Sequence, residues 1–109
     1  MFRHLEAALL SLITLAAVDR VPEFNIEPIC REVAGRADAP RYKETCLRKE
    51  REAQEQLRQK WATFRASDRS YCTQLASLGG VPSYVELLTC LDVAQSVGRA
   101  RGENARQNF

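Results

Sequence analysis

Between Pro40 and Gly79 the chain holds neither glycine nor proline. The stretch from Arg41 to Leu78, RYKETCLRKEREAQEQLRQKWATFRASDRSYCTQLASL, is dense in Glu, Lys, Arg, Gln, Leu and Ala. These are the residues that lose least on entering a helix. The pattern predicts one long helix, or two helices with a bend. Cys46, Ala53, Leu57, Trp61, Phe64, Cys72 and Leu75 recur mostly three, four or seven apart. That spacing defines one helical face. Elsewhere the stretch is charged, with Glu44, Arg48 and Glu52 four apart, and Arg51 and Glu55 likewise. The run Lys49-Glu50-Arg51-Glu52 reads as part of a solvated face.

Flanking elements are shorter. Asp19 to Asn25 is a polar lead-in containing one proline. Asn25 is placed to cap a first helix over Ile26–Ala37, with Pro28 in its first turn. Ile29, Cys30, Val33 and Ala37 form its apolar side, and Asp38-Ala39-Pro40 is the break. Gly79-Gly80 ends the central stretch, because glycine adopts the left-handed stop conformation cheaply. Ser83 and Glu86 stand at capping-box spacing after Pro82. They open a third helix over Ser83–Ala100, whose face is Leu87, Cys90, Leu91, Ala94 and Val97. Gly98 and Gly102 weaken its end, and 103–109 reads as a flexible tail.

Four cysteines allow three pairings. If the central helix is continuous, Cys46 and Cys72 lie about 39 Å apart along its axis. A disulfide needs Cα atoms within roughly 7 Å, which excludes that pair. Cys30–Cys72 requires nearly full extension of the Cys30–Arg41 segment and so removes the first helix. What remains is Cys30–Cys46 with Cys72–Cys90. Each closes a loop of about 15 to 20 residues, worth roughly 3 kcal/mol in the chain-entropy description. The expected fold is therefore all-α, two disulfide-stapled helical hairpins sharing one long central helix. Such a structure has a thin core. A bend near Ser67-Asp68, or a dimer covering the exposed apolar side, would thicken it.

The N-terminus bears on compartment. MFRH is a short positive segment, and Ala7 to Val18 is an apolar run with small residues at Ala16 and Ala17. The run is shorter than the roughly 20 apolar residues of a membrane span. It matches a secretory signal over 1–18, preceding a four-cysteine domain over 19–102. An N-terminal helix of the folded domain and an uncleaved anchor remain open. Export agrees with an even cysteine count in a small chain. The expected location is periplasmic or secreted, with no membrane span left after cleavage.

Catalytic chemistry is thinly supplied. The one histidine is His4, inside the signal-like segment. No G-x-S-x-G elbow and no Gly-rich phosphate loop occurs in the sequence. The cysteines lack a CxxC pair, so thiol-redox chemistry and a four-cysteine zinc site are both poorly matched. A net charge of +2 with interspersed signs gives no basic patch for nucleic acid. Asp68 falls on the apolar stripe and reads as an aspartate at a bend, bonded to Arg65 or Arg69. No catalytic residue, cofactor or metal is expected. Candidate binding residues are Val81, Pro82 and Tyr84, which form a rigid apolar knob at the stapled turn, with Trp61, Phe64 and Arg65. Packing of Tyr84 on the central helix, and of Trp61 and Phe64 in a core, is the competing reading.

The strings C46LRKE, W61ATFRASDRSYC72 and G79GVPSYVELLTCL91 resemble a group of small exported alphaproteobacterial four-cysteine helical proteins of unknown function. A more distant similarity is to the LprI-type lysozyme-inhibitor family. It rests on Trp61, Phe64, Arg65, Cys72, Gly80, Cys90 and Leu91, which match in type. The second resemblance implies inhibition of a muramidase. The residues themselves point to an exported binding or structural module without catalysis, its partner another protein or a second copy of itself.

Overall fold

The computed structural model describes residues 19–35 and 39–107. The signal-like segment 1–18 lies outside the described residues, as do most of the break before Pro40 and the last two positions. Among the described residues the chain is helical and contains no strand. Four helices follow in order: α1 (Glu27–Ala34), α2 (Ala39–Lys60), α3 (Ala66–Ala76) and α4 (Tyr84–Gln107). Single 3₁₀ turns at Trp61–Thr63 and Leu78–Gly80 stand before and after α3.

Helix α1 starts one residue later than its pattern suggests. The Asn25 side-chain oxygen accepts the Glu27 N–H at 3.2 Å, and a proline lies in the first turn. It is described to Ala34, with Gly35 as its C-cap, and the expected end at Ala37 lies outside the described residues. Cys30 and Ala34 are its buried residues, whereas Val33 is exposed. The short helix thus faces inward along a line one residue away from the expected one.

The central stretch is two helices, not one. The backbone leaves the helical region at Phe64 (ψ 147°) and Arg65 (ψ 144°), three residues before the expected bend at Ser67-Asp68. No glycine or proline forces this. The Thr63 hydroxyl donates to the Lys60 carbonyl at 2.6 Å, giving the last turn a local alternative to continuing. The break lets Trp61 and Phe64 enter one core and turns α3 back along α4. Burial here overrides a run of good helix formers. Cys72 and Ala76 are the buried residues of α3, and Leu75, expected inward, is exposed.

Gly79 and Gly80 take left-handed conformations (φ 75° and 71°) and reverse the chain. Helix α4 then runs antiparallel to α3: Ser83 N–H reaches the Ala76 carbonyl, and Cys72 bonds Cys90. Against α2 the same helix runs parallel, since Glu50 meets Ser83, Lys60 meets Asp92 and Thr63 meets Gln95. The core lies between these three helices, built from Leu57, Trp61, Phe64, Cys72, Tyr84, Leu87 and Leu91. Helix α4 continues through Gly98 and Gly102 to Gln107, so part of the expected tail is helical. Val97, assigned to its inner face, is exposed.

Both expected disulfides are present. Cys30–Cys46 and Cys72–Cys90 have Cα separations of 5.5 and 5.6 Å, and no described cysteine is free. The two bonds fit an oxidising compartment. No described helix is long and apolar enough to cross a membrane.

Candidate binding site

The turn joining α3 to α4 is held from beneath by a carboxylate. Glu50, on α2, is only 3 % exposed. Its oxygens accept from the Tyr84 N–H at 2.7 Å, the Ser83 hydroxyl at 2.9 Å and the Val85 N–H at 3.3 Å. The first N–H groups of α4 have no partner within their own helix, and they carry the positive end of its dipole. A buried anion from another helix meets both needs. Ser83 performs its half of the capping box by accepting the Glu86 N–H at 3.2 Å. The acceptor for the turn is Glu50, so one member of the Lys49–Glu52 run is buried rather than solvated. The sequence carried a signal for this: Glu50 stands four after Cys46 and three before Ala53, inside the apolar stripe.

Tyr84 is 1 % exposed. Its hydroxyl donates to the Pro22 carbonyl at 2.8 Å and accepts from the Phe24 N–H at 2.7 Å and Gln54 Nε2 at 3.1 Å. Its ring meets Phe24 at 4.8 Å between centroids. Burial pushes the phenol above its ordinary pKa, and the hydrogen bond from Phe24 opposes that rise. Tyr84 therefore ties the lead-in segment to α2 and α4.

Of the residues singled out from the sequence, the turn leaves Val81 and Pro82 half-exposed. Tyr84, Trp61 and Phe64 are buried in the core beneath it. Arg65 is exposed and sits apart, donating through Nε to Asp68 at 3.0 Å and lying against Gly98 of α4. The six do not form one surface.

Trp61 does reach a surface at one edge. It is 6 % exposed, and its indole Nε1–H has no acceptor among the described residues. The same holds for the neighbouring Arg69 Nε–H. The Arg69 guanidinium carbon is 5.8 Å from the Trp61 ring centre, and one terminal nitrogen is 4.0 Å from the Asp19 carboxylate. Both side chains line an open cleft of about 430 Å³ together with Asp19, Arg20, Val21, Arg58 and Ala62. Arg20 and Arg58 went unremarked in the sequence and Arg69 entered only as a candidate partner of Asp68, because the three come from separate segments and each looks like an ordinary surface arginine.

No family model, curated protein or solved structure matches the chain.

Proposed function

We propose that this chain is an exported helical binding module, periplasmic or secreted, held rigid by two disulfides and performing no catalysis of its own. The observation that carries this reading is the pair of bonds Cys30–Cys46 and Cys72–Cys90, each tying one helix to another around a small core. Disulfides of this kind form and persist outside the cytoplasm. Rigid presentation of a surface lowers the ordering cost of binding. Peptide mapping of non-reduced protein recovered from cells tests it. The expected result is those two pairings and an N-terminus at or near Asp19. Four free thiols with an intact Met1 would overturn it.

Inhibition of a muramidase is the second reading, and it rests on the resemblance. Of the residues that carry the likeness, Trp61, Phe64, Cys72 and Leu91 belong to the core. They bear on how the chain folds, and an inhibitory contact would fall on exposed positions such as Arg65. Oxidised protein is then expected to slow a lysozyme assay stoichiometrically. No effect at large excess removes this reading for the enzymes tested.

A further inference from the structure

Helices α3 and α4 carry apolar side chains that the fold leaves uncovered. Tyr71 and Leu75 on α3, Leu78 in the turn after it, and Val93 and Val97 on α4 are all exposed. They lie on one side of the helix pair. The two helices run antiparallel and are joined at Cys72–Cys90. The end of α2 and the turn after it occupy one side of that bond, where Arg69 of α3 meets Trp61 and Gln95 of α4 meets Thr63. A helix turns about 100° per residue. Leu75 and Tyr71 therefore fall on the opposite side of Cys72 from Arg69. Val93, with Val97 one turn on, falls on the opposite side of Cys90 from Gln95. Uncovered apolar side chains gathered on one face mark an interaction surface.

The charges on this face say what covers it. Along α4 the exposed strip runs Glu86, Val93, Val97, Arg101, at spacings of seven, four and four. It is acidic at one end, apolar in the middle and basic at the other. Among the described residues neither Glu86 nor Arg101 has an ion-pair partner. Such a strip is complementary to itself when reversed. We infer that two copies of this chain pair through this face, α4 against α4, antiparallel about a two-fold axis at Val93-Ala94. That axis stands midway between Glu86 and Arg101, so each glutamate faces the other copy's arginine. The two Val93 side chains meet at the centre, each Val97 lies against Thr89 of the other copy, and Tyr71 and Leu75 flank the contact. The reversed helices also set N-terminus beside C-terminus, which their dipoles favour. A parallel pairing would instead set like charges together. Helix α4 has 24 residues, so it is about 36 Å long and about 10 Å across, and with α3 the face offers on the order of 500 Å² per copy. A standard interface takes roughly 800 Å² per partner, so the pairing is weak and forms at micromolar concentration and above. This deepens the binding-module reading by naming the partner, and rests on it only for its biological use. Export mapping can fail while the pairing holds, and the reverse.

Oxidised protein as recovered from cells is followed by sedimentation velocity from micromolar to millimolar concentration, at low ionic strength so that exposed charges are little screened. The mass should rise from one chain and level at two, because a two-fold contact closes on itself. Val93 is 57 % exposed, so Val93→Glu should keep the helical circular dichroism and hold the protein at one chain. Glu86→Arg and Arg101→Glu should each weaken association about tenfold, since each sets like charges opposite one another at both ends of the contact. Mixed in equal amounts, these two variants should regain most of the lost affinity, because a mixed pair restores opposite charges at both ends. Only a strip that meets itself reversed behaves in this way. One chain at every concentration overturns the inference and leaves the face to a different partner. A dimer indifferent to Val93→Glu overturns it as well, the contact then lying on another face. So does a mixture of the two charge variants that associates no more tightly than either alone.

Discussion

At the scale of single residues, the heaviest dependence falls on Glu50. Its carboxylate is the acceptor for two backbone N–H groups and a hydroxyl at the start of α4. Glu50→Ala strands all three donors in a buried place, which should lower stability by roughly 3 kcal/mol. Glu50→Gln retains one acceptor oxygen and should lose about half of that. Glu52→Ala, two residues along and exposed, should change stability by less than about 0.5 kcal/mol. Urea midpoints at unchanged slope distinguish the three, and equal midpoints for Glu50→Ala and Glu52→Ala would contradict the capping role. Tyr84 makes a prediction in pH. Its folded pKa is raised, chiefly by burial, above the value near 10 of an unfolded chain. A group shifted upward contributes stability that is complete below the unfolded value and is lost as pH climbs through the folded one. Stability should therefore fall on the alkaline side of about pH 10, and Tyr84→Phe should flatten that limb. The same variant should be less stable at neutral pH, because the Pro22 carbonyl and Phe24 N–H lose their partner.

At the scale of elements, the two disulfides separate entropy from packing. They span 16 and 18 positions, so loop closure alone makes their contributions differ by only about 0.1 kcal/mol. Cys72 lies in the main core and Cys90 packs against it, while Cys30–Cys46 fastens α1 to the outer part of α2. Replacing Cys72 and Cys90 by alanine should cost clearly more than replacing Cys30 and Cys46. Hydrogen exchange should show the first change loosening α3 and α4, and the second loosening α1 alone. Equal losses would mean that packing adds nothing to the inner bond. Gly79→Ala has open space around it, yet its φ of 75° should cost about 1 kcal/mol. These elements also show what a sequence of this kind makes legible. Helices, the glycine stop and the serine cap are local, and their signals lie within a few residues. The break at Phe64–Arg65 was visible only as a need for more core, since its cause is the burial of Trp61 and Phe64 against α4. The pairing of cysteines was right although its elimination assumed a continuous helix. Near-neighbour reach across each turn decided it, and that survives the break. Glu50 was readable as an acid inside an apolar stripe. The cleft was not, because its lining comes from three segments far apart in the sequence.

At the scale of the whole molecule, the question is whether the helices hold without oxidation. Among the described residues the fully buried side chains are few: Tyr84, Leu57, Leu87, Leu91, Cys30 and Cys72. Two of those six are themselves disulfide sulfurs. Several large apolar side chains, among them Tyr71, Leu78 and Val93, remain exposed and add nothing to the core. A small domain of this kind has a net stability at the low end of about 5–15 kcal/mol. Two loops of this size together constrain the unfolded chain by roughly 6 kcal/mol. Reduction therefore removes an amount comparable with the whole, and the cap at Glu50 is too local to replace it. Reduced protein at 25 °C should lose most of its helical circular dichroism and its cooperative melt. Reoxidation should restore both, with Tyr84 returning to its buried network. A reduced chain that keeps a sharp thermal transition and full helicity would show that the interhelical packing suffices alone. The disulfides would then be accessories to this architecture, and oxidation would no longer bear on where the protein folds.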